Sequence, residues 1–161
     1  MSISCKLSAT FAATAILTAA PAQCAFSAVM PTVYGQSCST YYMTAPSMMV
    51  GLDTANCALD IAPYAYRGPG SASISASVLV LGLSPAAIAV PVAPGCLLLA
   101  TPDIVLFQSV APGSFLLGNY RLSVAGLLPP FTVHAQAAAI FSQAGVPIGI
   151  GLSGGMRLDL L

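Results

Sequence analysis

The sequence predicts an all-β domain: an antiparallel β-sandwich of about eight or nine short strands, with Greek-key or jelly-roll-like connections, behind an N-terminal signal helix. Three observations predict it. Apolar residues recur with period two rather than 3.6, Gly/Pro-rich breakers fall roughly every 8 to 14 residues, and the prolines leave no room for an amphipathic helix of three turns.

The N-terminus carries one cation at Lys6, an apolar run from Leu7 to Ala20, and small residues Ala20 and Ala22 around Pro21. This is the charged, apolar and cleavage pattern of a secretory signal. Residues 1–22 are read as a signal peptide and residues 23–161 as one secreted domain. No lipobox precedes Cys24, which argues against lipid anchoring.

Downstream, Ser71 to Val78 alternates serine with alanine, isoleucine or valine, the mark of a strand with one wet and one buried face. It runs on into VLVLGL, an apolar segment suited to burial on both faces. Tyr120, Leu122 and Val124 alternate with Arg121 and Ser123; Val133, Ala135 and Ala137 alternate with Thr132, His134 and Gln136. AQAAAIF is helical by propensity, but its β-branched and aromatic lead-in FTV favours a strand. Near the end, Met156, Leu158 and Leu160 alternate with Arg157 and Asp159, which puts an arginine and an aspartate on one outward face as a solvated edge contact. The breakers between the runs are PYAYRGPGS, LSPAA, VAPG, TPD, APGS, LLPP, QAGVP and SGG, the last read as a hairpin turn between the final two strands.

Beyond the signal there is no lysine or glutamate, and the charged residues are Arg67, Arg121, Arg157, Asp53, Asp60, Asp103 and Asp159. Three arginines do not neutralise a phosphate backbone, so nucleic-acid binding is excluded. The stretch from Gly68 to Pro102 holds no charge over 35 residues, yet Pro69, Pro85, Pro91, Pro94 and Pro102 cut it too short for a spanning helix. A small outer-membrane β-barrel needs only about ten residues per strand. Missing aromatic girdles and the scarcity of charge for aqueous loops make it a distant alternative.

Removing the signal takes Cys5 with it and leaves Cys24, Cys38, Cys57 and Cys96, spaced 14, 19 and 39 residues apart. No close pair such as C-x-x-C suggests zinc, so two disulfides in an oxidising compartment are expected, with three connectivities open.

The strings VYGQSC (Val33–Cys38), VLVLGLS (Val78–Ser84) and APGCLLLATPDIVL (Ala93–Leu106), with Gly113, Gln136 in VHAQAAAIF and Ser153, Gly155 and Arg157 in the tail, resemble a family of small secreted bacterial domains abundant in planctomycetes. Its pattern runs YG-x-GC, LG-x-S, PGC, SPD and S-x-G-x-R. The resemblance spans most of the chain from Tyr34 onward and implies an exported β-sandwich, without supplying an activity. It also implies that Cys38 and Cys96 pair, leaving Cys24 and Cys57, which depart from the pattern, as a second bond. Ser37 stands where the family has glycine, and the stretch ANCALDIAPYAYRGPGS is a further departure.

Little side-chain chemistry is available. Gly151-Leu152-Ser153-Gly154-Gly155 matches the G-x-S-x-G of hydrolase nucleophile elbows, but only six residues follow and none is histidine. His134 is the one histidine of the chain, so no catalytic pair of histidines forms within a subunit. Asp53, Asp60 and Asp103 lack the D-x-D-x-D spacing of a calcium loop, and Asp103 in TPD suits a turn where it bonds backbone N–H groups. Neither a metal nor a cofactor is expected.

Tyr34, Tyr41, Tyr42, Tyr64 and Tyr66 crowd the N-terminal half, and such aromatics stack on sugars or anchor interfaces. The candidate recognition patch is Tyr64, Tyr66 and Arg67 with the polar strand face of His134 and Gln136. The expected function is a non-catalytic structural or adhesion module, secreted, periplasmic or on the cell surface, that associates with itself or with surface proteins and glycans. A carbohydrate- or small-ligand-binding sandwich is the alternative.

Overall fold

Chain segments that alternate apolar with small residues, and that proline interrupts only at their ends, become the central strands. The computed structural model describes residues 24–40, 45–65, 72–111, 114 and 116–161. The signal segment, Tyr41, Tyr42, Tyr66, Arg67 and Gly113 lie outside the described residues.

The described chain is all β, with the strands β1 (Val29–Tyr34), β2 (Cys38–Ser39), β3 (Ser47–Asp53), β4 (Ala58–Tyr64), β5 (Ser73–Gly82), β6 (Pro85–Ala89), β7 (Leu97–Ala100), β8 (Ile104–Ser109), β9 (Tyr120–Ser123), β10 (Phe131–Gln143), β11 (Val146–Leu152) and β12 (Gly155–Leu160). Every pairing is antiparallel. β10, 13 residues long, is the spine of the main sheet. One of its edges pairs with β5, which in turn carries β8. Its other edge pairs first with β12 and then with β11, and these carry β1 and β2. A second sheet has the order β3-β4-β9, and β6 and β7 form a small hairpin of their own.

The sandwich expected from the sequence is therefore present, and its sheets are open, not a closed barrel. No described helix is long and apolar enough to cross a membrane. The twelve strands exceed the expected eight or nine in part because two long strands are each broken by a local irregularity; counted as single strands, they leave ten. β1 continues into β2 alongside β12 and β11, and β11 continues into β12 alongside β10. SGG is thus not a hairpin turn. Ala138 faces Leu152 and Ala135 faces Met156, so the later strand carries one extra residue across this stretch, a β-bulge at Ser153 and Gly154. The last true hairpin turn is Ala144-Gly145, with φ of 49° and 81°, linking Gln143 to Val146. Both residues have the left-handed backbone of a two-residue type I′ turn. Alanine is strained there, so Ala144→Asn is expected to raise stability by about 0.5–1 kcal/mol, read as a higher Tm with unchanged circular dichroism.

The core lies between the main and second sheets. Leu79 and Leu81 of β5, Ala135 and Ala137 of β10 and Met156, Leu158 and Leu160 of β12 meet Leu59, Ile61 and Tyr120 from the second sheet. Tyr120 brings its hydroxyl to Ser77 at 2.8 Å, so this buried polar pair is satisfied. Phe141, Ile74 and Leu117 extend the core at one end.

The opposite face of the main sheet is also covered. Val78, Val80, Ala138 and Leu152 pack under Ala93, Cys96 and Ala100, which come from the β6–β7 hairpin and its loop. This third layer sits close. At Gly82, paired with His134, an added Cβ would lie 2.1 Å from the Thr101 carbonyl oxygen, so the glycine of VLVLGLS lets the end of the hairpin rest on β5. Both disulfides form: Cys38–Cys96 ties β2 to this layer, and Cys24–Cys57 ties the N-terminal segment to the β3–β4 loop. The pairing implied by the resemblance is the one observed.

Candidate functional site

Period two along β10 places Thr132, His134 and Gln136 on the face away from the main core, as the sequence predicts, but that face is not wet. His134 is 8% exposed and Gln136 only 1%. The reason is the β6–β7 layer above them, formed by residues some forty positions away. The expected polar patch of His134 and Gln136 at a surface is therefore corrected for Gln136, which no ligand reaches.

Gln136 acts instead as a clamp between layers. Its Oε1 accepts from the Leu99 N–H at 2.7 Å, and its Nε2 donates to the carbonyls of Leu97 at 3.1 Å and Ser153 at 2.8 Å. The side-chain amide thus bonds β7 as a neighbouring strand would. The other polar group of Leu99 is also met, because the Tyr34 hydroxyl donates to its carbonyl at 2.6 Å. His134 Nδ1 lies 3.1 Å from the same phenol oxygen, and the rings meet edge to face with centroids 5.5 Å apart. Since the phenol hydrogen is committed to Leu99, the imidazole must donate, which places the proton of the neutral ring on Nδ1. Burial pushes the Tyr34 phenol above its ordinary pKa and keeps it a donor.

The bulge completes the arrangement. The Ser153 hydroxyl accepts from the Ala137 N–H at 2.9 Å and donates to the Gly154 carbonyl at 2.7 Å, while the Ser153 N–H bonds the Ala137 carbonyl at 2.8 Å. Gly155 faces the Tyr34 ring so closely that a Cβ would stand 2.5 Å from it. The serine of G-x-S-x-G is thus 2% exposed and engaged on both sides of its hydroxyl, in a bulge between two strands and not in a strand-turn-helix elbow.

Burial, reinforced by Arg157 and opposed by Asp159, holds the His134 imidazole below its ordinary value of 6.5. A histidine with a lowered folded pKa contributes stability that is present above the unfolded value and is lost as pH falls through the folded one. The urea midpoint is expected to decline between about pH 6.5 and the carboxylate range, and this decline should shrink in His134→Gln.

Tyr64 is elsewhere. It ends β4 and lines a cleft of about 660 Å³ with Gln36, Ser37, Ser47 and the Ser153–Gly154 bulge. Neither His134 nor Gln136 lines this cleft, so Tyr64 and the His134–Gln136 pair do not share it. Tyr66 and Arg67 lie outside the described residues.

The described charges are spent on one another or on the backbone. Arg121 bonds Asp53 and also reaches Asp60, at 3.4 Å. Hydrogen bonds from Asn56 and Arg121 pull the Asp53 carboxyl down to about 2. Arg157 meets Asp159 at 2.9 Å on the outward face, the pairing expected from the alternation, although β12 lies between β1 and β10 and not at an edge, and Thr132 bonds the same carboxylate oxygen. Asp103 accepts from the Leu83 N–H at 2.8 Å and from the Thr101 hydroxyl, the turn role that TPD suggests. With Asp53 and Asp60 turned to Arg121, the three aspartates form no calcium loop, and no group of three or more potential metal ligands occurs among the described residues.

Sequence reasoning weighed Tyr34 only as one of several tyrosines, and it read Ser153 and Gly155 as turn residues. Their joint role is legible in one signal: YG and SGG stand where paired strands must pass at close range. No family model, curated protein or solved structure matches the chain.

Proposed function

We propose that this chain is a non-catalytic, secreted or cell-surface structural module that associates with uncharged surfaces, its own included. One observation carries the reading. Each of the six described charged side chains is engaged, in the pairs Arg121 with Asp53 and Asp60 and Arg157 with Asp159, or by backbone at Asp103. The surface meanwhile presents large apolar side chains such as Val33, Phe107, Leu128 and Val92, all at least 66% exposed. A surface with apolar side chains and little free charge attracts other apolar surfaces and does not repel its copies. The disulfides suit an oxidising compartment, and the resemblance to exported bacterial domains points the same way.

Light scattering of the oxidised domain over a wide concentration range tests this. Association that persists in high salt is expected, since apolar contact is not screened as ion pairing is. A monomer at every concentration that is also not retained on cells would overturn it.

A second reading takes the Tyr64 cleft as a site for a neutral sugar. Hydroxyl and amide groups from Ser37, Ser47 and Gln36 surround one aromatic ring there, the mixture by which proteins hold saccharides. Glycan-array binding that Tyr64→Ala abolishes would favour it over the structural reading.

A further inference from the structure

We propose that the free edge of β8 joins two copies of this chain, strand to strand and antiparallel; this rests on the self-association reading above. Among the described strands β8 pairs only with β5, and no described strand lies along its other edge. An open row of backbone N–H and C=O groups is matched best by another strand. Natural sheets protect such edges with proline, charge or shortness.

The other edges of the main and second sheets carry these protections, the stretch of β11 beyond β2 holding Pro147. β1 has Pro31 within it, and β2 has two residues. In the second sheet, β3 ends in Asp53 and β9 holds Arg121, which are ion-paired with each other. β8 reads IVLFQS, with neither proline nor charge, and Ile104, Val105 and Phe107 are 51%, 43% and 71% exposed.

Charge and symmetry select a second copy as the occupant. The edge offers no ion to a charged partner, and the domain beyond the signal carries three arginines against four aspartates, so copies meet with little repulsion. A two-fold axis normal to the sheet brings the same strand alongside in the antiparallel sense, with each face continuing onto its counterpart. Val105 and Phe107 pair with Val80 and Val78 and therefore share the face of the main sheet away from the second sheet. In the dimer they meet their equivalents across the axis as cross-strand apolar pairs, which stabilise antiparallel sheets. The contact closes on itself and gives a dimer, not a fibre.

Sedimentation equilibrium of the oxidised domain tests this, with Phe107→Lys and, on the opposite edge of the sheet, Val33→Lys as a control of similar exposure. The wild type and Val33→Lys are expected to be dimers, and Phe107→Lys to associate at least about tenfold more weakly. Amide exchange at residues 104–109 in the wild type, which needs no variant to fold, should slow as concentration rises. An oligomer unchanged by Phe107→Lys, or equally weakened by Val33→Lys, or without slowed exchange in β8, overturns the β8 edge while leaving self-association standing. A wild type that stays monomeric overturns both.

Discussion

Gln136→Leu is expected to lower the unfolding free energy by about 3 kcal/mol, among the largest effects of any substitution that conserves volume in this domain. The side chain makes three hydrogen bonds, to Leu99 N, Leu97 O and Ser153 O. Leucine leaves those backbone groups in a dry interface, at a cost of about 1–3 kcal/mol each, and recovers part of it as a buried apolar side chain. Urea unfolding measures the loss, and amide exchange locates it: Leu99 should exchange faster while Leu59 and Leu158 in the main core do not. Gln136→Glu separates hydrogen bonding from packing. A carboxylate still accepts from Leu99 but sets its second oxygen against two carbonyls. Its folded pKa is therefore raised, so the stability of this variant should be greatest below about pH 4 and be lost as pH rises through the folded pKa. If Gln136 matters only for its volume, the leucine variant will unfold near the wild-type midpoint and the glutamate variant will show no such pH trend.

This side chain also marks where the sequence stops being legible. Period two was visible in β5, β9, β10 and β12 because one face of each packs on the main core, and burial of alternate residues is a local property. The apolar end of β5 is buried on both faces as the pattern predicts, but the alternation at its serine-rich start breaks: the register shift at Ser75 turns Ser77, expected on a wet face, into the core beside Tyr120. β10 differs, since the alternation Thr132, His134, Gln136 reads as a wet face wherever no cover is known. The cover is the β6–β7 hairpin, and its partners for Gln136 are backbone groups at Leu97 and Leu99 that leave no mark in residue identity. Composition cannot distinguish a glutamine in water from one bonded to a distant strand.

The SGG segment fails for a related reason. Serine followed by two glycines suits a tight turn or a bulge equally well, and what decides is whether the chain folds back or continues. β10 is long enough to pair with both β11 and β12, so the chain continues. The Ser153 hydroxyl then takes the Ala137 N–H, supplying from a side chain the acceptor that the shifted backbone withholds. Strand count and the exposure of Gln136 were both misread at places where a long-range partner overrides a local signal. Disulfide count and the roles of Arg157, Asp159 and Asp103 depended on short-range chemistry and were legible.

Replacing Cys38 and Cys96 together with alanine is expected to cost about 4 kcal/mol, and its effect should depend on Gln136. The two cysteines are separated by 58 residues, and opening a loop of that size restores conformational entropy to the unfolded chain by roughly this amount. Cys24–Cys57 encloses 33 residues and predicts nearly the same figure, because loop entropy grows only with the logarithm of length. What separates the bonds is location. Cys96 belongs to the layer over the outer face of the main sheet, whereas Cys57 belongs to the core between the two sheets. Loss of Cys38–Cys96 should therefore speed amide exchange in β6 and β7, and loss of Cys24–Cys57 should speed it in β3 and β4. Gln136 and Cys96 hold the same hairpin from two sides. Once one attachment is gone the hairpin opens more readily in the folded state, and the second then holds less; the combined variant should lose measurably less than the sum of the separate losses. Strict additivity in urea unfolding would mean that the disulfide acts only on the unfolded chain and that Gln136 alone holds the hairpin down.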